Sequence, residues 1–231
     1  QLGCGRSPAE IDTSKLTVDY FVDQLEEFRQ LLGINEFYLY GHSWGTMLGL
    51  DYYLKYPGAV KAMILASPAL SISRWTEDAN RLIGLLPDSI QTTIRVHTEA
   101  GTYESADFQH AVGIYYQNYV ARKQPWSADI DSTFDNFGEE IYFHMWGPTE
   151  FTSTGILKNY ERAHRLNEIE VPTLFIAGEF DEATPASTKY FQSLVQNSEL
   201  KIISNAAHIT MHDNTVENNR VIGEFLTDLE Q

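Results

Sequence analysis

Gly41-His42-Ser43-Trp44-Gly45 has the spacing of a G-x-S-x-G turn, directly after the aromatic-rich run Phe37–Tyr40 and at the start of a helix-forming stretch. A serine in so tight a strand-to-helix turn is pushed above the end of its strand, and the flanking positions are expected to need glycine. The backbone N–H of Trp44 would face an oxyanion developing at that point. Serine alone is a weak nucleophile and needs a base, itself oriented by an acid. Asp181 lies just past the apolar run Leu174–Gly178, in Gly178-Glu179-Phe180-Asp181-Glu182-Ala183-Thr184-Pro185. His208 lies just past Leu200–Ile203, in Asn205-Ala206-Ala207-His208. An aspartate after a strand usually caps a helix, and a lone histidine is usually structural. Found together, in the order serine, acid, histidine and each beyond a strand, they read as a catalytic set: Ser43, Asp181, His208. Glu179 and Glu182 are the nearest alternatives for the acid and rank below Asp181.

The elements that must position these residues follow from periodicity. Thr17 can cap a helix with apolar residues at Val18, Phe21, Val22, Leu25, Phe28 and Leu32, stopped by Gly33. Phe37–Tyr40 reads as a buried strand, Thr46–Tyr56 as a helix ended by Pro57-Gly58, and Val60–Ala66 as a second strand closed by Ser67-Pro68. The alternation returns at Pro172–Gly178 (strand), Pro185–Val195 (helix with proline at its start), Leu200–Ile203 (strand) and Val216–Leu229 (amphipathic helix). Short apolar strands alternating with helices predict an α/β fold with a parallel sheet covered on both faces. Between about Ser71 and Asn167 the rhythm is lost while aromatics and helix formers abound, which predicts a helical insertion of five or six helices. The expected division is a core of residues 1–70 and 168–231 and a cap of residues 71–167.

Composition bounds the rest. The 231 residues, 43% hydrophobic and 21% charged, match an ordinary globular domain. Sixteen basic against 32 acidic residues give a net charge of -16, which argues against nucleic acid or an anionic membrane as partner. No apolar run approaches the roughly 20 residues of a membrane helix. The single cysteine, Cys4, can form no internal disulfide and fits a reducing, cytoplasmic compartment. The chain opens without a basic region followed by an apolar run, so no signal peptide is expected.

Several further features carry less. His208 and His212 are four apart but lack the glutamate of H-E-x-x-H, so no metal is expected. Gly3-Cys4-Gly5 is not a dinucleotide fingerprint, because no strand precedes it and a third glycine is missing, so no cofactor is expected. His42 reads as a packed neighbour of the serine turn and Cys4 as a buried thiol. Tyr142, Phe143 and Trp146 would suit either a substrate pocket or the core of the cap.

On these residues the chain resembles the α/β-hydrolase superfamily and, within it, the prolyl aminopeptidase (proline iminopeptidase) family. The resemblance rests on Gln1-Leu2-Gly3-Cys4-Gly5-Arg6-Ser7, Gly41 to Leu48, Met145-Trp146-Gly147-Pro148-Thr149-Glu150-Phe151, Gly178 to Pro185, and Ala207-His208-Ile209-Thr210-Met211. It implies a serine exopeptidase that removes an N-terminal residue, often proline, from short peptides with a free α-amine. It also implies that Glu150, from the cap, and Glu182, beside the acid, hold that amine. An ammonium taken out of water needs carboxylate partners.

The resemblance further implies a histidine–glycine–glycine–proline–glycine stretch before the serine turn, supplying a second oxyanion donor. This chain carries none, and its serine comes early, so the first strands of the fold are expected to be missing. The Phe37–Tyr40 strand would then be an edge, open to self-association or to the missing N-terminal segment. Two other readings keep the same residues: a carboxylesterase-type hydrolase, and a catalytically silent fragment. Two amine-binding glutamates speak against an esterase.

Overall fold

The computed structural model describes residues 2–7 and 12–231. Four parallel strands, β1 (Phe37–His42), β2 (Val60–Ala66), β3 (Thr173–Gly178) and β4 (Ser198–Ile203), form one sheet in the order β1-β2-β3-β4. The register aligns Gly41 with Leu65, Leu65 with Phe175 and Phe175 with Leu200, so all four carboxyl ends open at one edge of the sheet. That shared edge is where open parallel sheets place their ligands.

Side chains alternate across the strands and meet different helices on the two faces. On one face Leu39, Met63, Leu65 and Phe175 pack with Val22 of α1 (Val18–Leu31), Leu50 and Tyr52 of α2 (Trp44–Lys55) and Phe191 of the helix Pro185–Gln192. On the other, Ala62, Ile64, Ala66, Leu174 and Ile176 meet Val221 and Phe225 of the last helix, Thr215–Leu229. Every residue of β3 is buried, which accounts for its unbroken apolar reading in the sequence. Thr17 caps α1, its hydroxyl accepting the N–H of Tyr20, and Gly33 follows the helix in the left-handed region at φ +65°.

Between β2 and β3 run α3 (Ile72–Ile83), α4 (Asp88–Ala100), α5 (Ala106–Tyr119), α6 (Ala128–Asp135) and α7 (Glu139–Met145), followed by two 3₁₀ turns. Their own core gathers Leu82, Ile94, Phe108, Tyr115 and Phe151. After β3 come α8 (Pro185–Gln192), a short α9 (Thr210–Asp213) and α10 (Thr215–Leu229). Arg162 clasps Asp51 of α2 through two nitrogens at 2.8 and 3.1 Å, tying the end of the insertion to the helix behind Ser43.

The structure departs from the sequence reading in detail. The helix from Pro185 stops at Gln192, because Ser193–Val195 turn toward β4. β4 begins at Ser198, two residues early. Cys4 is half-buried instead of buried. Gly41 does need to be glycine, since a Cβ there would lie 2.2 Å from the carbonyl oxygen of Gly45, but a Cβ at Gly45 would meet nothing among the described residues. Phe143 is 57% exposed, while Trp146 is buried. Among the described residues β1 hydrogen-bonds to β2 alone and is an edge strand, with Tyr40 exposed.

Gly178, which ends β3, sets a sharp stability test. A Cβ there would lie 2.2 Å from the carbonyl oxygen of Ala207 and 2.5 Å from that of Ala206, both backbone atoms. Gly178→Ala should destabilise by about 1–3 kcal/mol, the usual cost of overpacking. At about 2–4 °C per kcal/mol for a chain of this size, thermal unfolding should show a Tm loss of several degrees. An unchanged Tm would mean that the loop before His208 yields freely.

Candidate active site

Ser43 sits between β1 and α2 with φ 52° and ψ -121°, a conformation that L-residues rarely adopt. The turn is held by Ser43 N–H donating to the Ala66 carbonyl at 3.0 Å, and by Thr46 N–H and Oγ1–H donating to the Ser43 carbonyl at 2.8 and 2.6 Å. Trp44 opens α2, so its N–H lies at the positive end of the helix dipole.

Asp181 and His208 come together from the loops after β3 and β4. His208 Nδ1 lies 2.8 Å from Asp181 Oδ1. A carboxylate only accepts, so Nδ1 carries a hydrogen, and in the neutral imidazole Nε2 keeps its lone pair. Both side chains are buried. His208 lines a cavity of about 640 Å³ together with Ser43, His42, Glu150, Met211 and His212. Glu179, the first alternative for the acid, turns away and accepts the Asn205 N–H at 2.9 Å.

Burial alone would push the His208 imidazole down, but the Asp181 carboxylate, with Glu182 and Glu150 behind it, holds it up at about 9. Glu182 Oε1 is 4.0 Å from His208 Nδ1. Glu182 is buried and neither of its oxygens has a hydrogen-bond partner among the described residues. Its carboxyl is held well above the usual range by that burial and by the charge of Glu150. Burial raises Glu150 as well, the charge of His208 working the other way. The buried hydroxyls of Tyr115 and Tyr142 also lack hydrogen-bond partners, and the carboxylates of Glu182 and Glu150 act on both. Glu150, Glu182, Tyr115 and Tyr142 thus interact electrostatically behind His208, and Glu150 and Tyr142 reach the wall of a cavity that Ser43 also lines.

Glu150 borders a second cavity of about 200 Å³ that also opens on Ser43. Its walls are Phe21, Trp44, Ile141, Tyr142, Met145 and Trp146, so the apolar character is pronounced. Tyr142 and Trp146 thus line it, whereas Phe143 lines a separate surface groove. Trp75 braces the site from α3: its Nε1–H donates to the Glu150 carbonyl at 2.8 Å and its ring meets His208 edge-on.

Sequence reasoning missed the residues that hold the loops in place. The Tyr119 carbonyl at the end of α5 accepts the N–H groups of both Glu182 (3.3 Å) and His208 (3.1 Å). Asp213 accepts N–H groups from Arg122, Lys123 and Ala207, fastening the insertion to the loop before His208. Asp213, five residues after His208 in the sequence, carried no signal beyond its proximity. No group of three or more His, Cys, Asp or Glu placed to hold a metal is present among the described residues. No helix there is long and apolar enough to cross a membrane.

Comparison with known proteins accords with this geometry. The profile of the alpha/beta hydrolase fold family matches residues 1–215. The proline iminopeptidase of Heyndrickxia coagulans is 40% identical over 232 residues, spanning 99% of this chain and 80% of the relative. That of Thermoplasma volcanium is 33% identical, spanning 98% of this chain and 77% of the relative. The chain belongs to the proline iminopeptidase family of α/β-hydrolases. Among solved structures, VinJ superposes with a TM-score of 0.94 at 31% identity, over 99% of this chain and 79% of VinJ. The Mycobacterium smegmatis proline iminopeptidase gives 0.90 at 28% identity, over 99% of this chain and 78% of that one. The protein is an enzyme of the hydrolase class.

Glu182 adds to the effect of Asp181 on the His208 imidazole. Its negative charge, 4.0 Å from Nδ1, is one of the groups that hold the His208 imidazole up at about 9. On the reading of His208 as the base, which must be neutral to act, the rate should climb with pH through that value. Glu182→Gln removes the charge, and the rising limb should move to lower pH. The pH dependence of fluorophosphonate labelling at Ser43 measures this without any substrate amine. A limb that stays in place, or moves up, would contradict the electrostatic account.

Proposed function

We propose that the enzyme is a serine aminopeptidase that releases an N-terminal residue, proline in the first instance, from short peptides through an acyl-enzyme intermediate. The observation that carries this reading is buried Glu150, on the wall of both cavities that Ser43 lines, with the buried Glu182 carboxyl close enough to act on it and on His208. Such groups are costly to bury and call for a cation. A peptide's α-ammonium supplies it and places the first carbonyl against Ser43. The apolar cavity of about 200 Å³ suits one compact side chain, being smaller than the roughly 300 Å³ at which pockets for drug-sized ligands begin. The printed name of the relatives, proline iminopeptidase, supports the same substrate class.

In this reading His208 Nε2 takes the proton of Ser43 Oγ as the oxygen attacks the carbonyl carbon. The Trp44 N–H stabilises the oxyanion, and residues 71–167 act as the cap over the site. The C–N bond then breaks, and His208 returns its proton to the leaving amine. Water, deprotonated in turn by His208, cleaves the Ser43 ester and frees the amino acid. Asp181 holds Nδ1–H throughout. No cofactor enters the cycle. The lone cysteine supports a cytoplasmic location.

Paired assays on proline 2-naphthylamide and p-nitrophenyl acetate test the proposal. Ser43→Ala, Asp181→Asn and His208→Ala should each abolish turnover of both, and double variants should lose little more, because the three act as a unit. Glu150→Gln should cost the amide about ten- to a hundredfold, the worth of one charge-assisted contact, and the ester far less. Equal losses would favour an esterase and make Glu150 a support. No labelling of Ser43 by a fluorophosphonate would favour a catalytically silent protein.

The β1 edge adds a proposal about assembly. An unpaired strand edge with Tyr40 exposed supports association through that edge, either with a second copy or with additional chain. Gel filtration with light scattering should show more than one copy or a co-purifying segment. A monodisperse monomer of 26.3 kDa with full turnover would rule this out.

A further inference from the structure

Ser67 follows β2 and is fully buried, 114 residues from Asp181 in the chain. Its φ is +50°, in the left-handed region where glycine is the ordinary choice. Its N–H donates to the Ile176 carbonyl of β3 at 2.7 Å, which holds the backbone in that conformation. The strained backbone aims the hydroxyl at two acceptors, Asp181 Oδ2 at 2.6 Å and the His208 carbonyl at 2.9 Å.

One hydroxyl hydrogen cannot fully serve both. The distance to Asp181 falls in the range of charge-assisted O–H···O⁻ bonds, so the carboxylate takes the hydrogen. The His208 carbonyl is supplied from another side: His42 Nε2 lies 2.8 Å from it and must donate, since a carbonyl only accepts. His42 stays neutral in that role, because burial and the neighbouring charge of His208 press its imidazole down to about 4. The acid is thus gripped on Oδ2 by Ser67 and by the Gly178 N–H (3.2 Å), which leaves Oδ1 to the His208 Nδ1–H and the Ala183 N–H.

We propose that Ser67 is a positioning residue of the active site, its hydroxyl fixing the rotation of the Asp181 carboxylate so that Oδ1 meets His208. The inference rests on the reading of Ser43, Asp181 and His208 as the catalytic set. A residue kept only for packing would be better served by glycine, which takes this backbone conformation without strain.

Ser67→Gly separates the two roles. It removes the hydroxyl and relieves the backbone, so the relieved strain offsets part of the lost donor to Asp181 and the Tm should fall by no more than a few degrees. Turnover of proline 2-naphthylamide should fall ten- to a hundredfold in kcat, the worth of one hydrogen bond to a charged group, with KM within twofold. The downfield proton resonance of His208 Nδ1 should broaden or shift, a change that lost packing alone would not produce. Ser67→Ala, which keeps the Cβ, should match it in kcat. Wild-type kcat and an unmoved Nδ1 resonance in either folded variant would overturn the proposal. So would failure of both variants to fold, which would assign Ser67 to stability. A wild type inert to substrate and to fluorophosphonate would instead sink the reading of Ser43 as nucleophile, and the Nδ1 resonance would still decide the role of Ser67.

Discussion

The Asp181 carboxylate lies almost wholly out of water, and a carboxylate so placed persists only inside a shell of donors. Its donors come from four places: Ser67 after β2, Gly178 at the end of β3, Ala183 in its own loop and His208 after β4. Satisfying one charge therefore binds three adjacent strand ends together. The parallel register makes this possible by bringing those ends to a common edge. Shifting any one of them would leave the carboxylate short of a donor, at a cost of a few kcal/mol.

The next residue in the chain shows the opposite arrangement. Glu182 is as buried as Asp181, yet neither oxygen is bonded to a described residue. One loop thus holds a saturated acid beside an unsaturated one. Saturation fixes Asp181 in place, as a group that must orient a histidine requires. The neighbour, without such donors, is held by burial and by the charge of Glu150 well above the usual carboxyl range. Two carboxyl groups that composition alone makes equivalent thus sit in opposite environments one residue apart.

The strand-and-helix framework was legible because each element obeys a local rule. The apolar run of the sequence spans the strand Val60–Ala66 end to end, and the glycines of Gly41–Gly45 mark the turn around Ser43. Asp181 and His208 were legible as well, since the fold places them after consecutive strands. Ser67 was not. It looks like an ordinary serine before a proline, and its meaning arises from atoms contributed more than a hundred residues later. Tyr119 and Asp213 escaped for the same reason, the first acting through its backbone carbonyl, where side-chain identity gives no signal. Bounds shifted where a helix end depends on the next strand, as at Gln192.

The backbone conformations at the strand ends share one pattern. The three described non-glycine residues with positive φ are Ser43, Ser67 and Asn205, and each stands just past the carboxyl end of a strand: β1, β2 and β4. β3 ends instead at Gly178, where backbone oxygens of the His208 loop leave no room for a Cβ. Every strand end is thus forced into a turn that few residues accept. At three of the four a side chain is retained where glycine would be easier. Two of these are serines, Ser43 lining the cavity shared with His208 and Ser67 bonded to Asp181, while Asn205 is anchored by Glu179 through its N–H. Strain of this kind survives only where surrounding bonds over-determine the backbone. Here those bonds are the ones that hold Ser43, Asp181 and His208 in register, so the strain and the site have a common origin in the sheet edge.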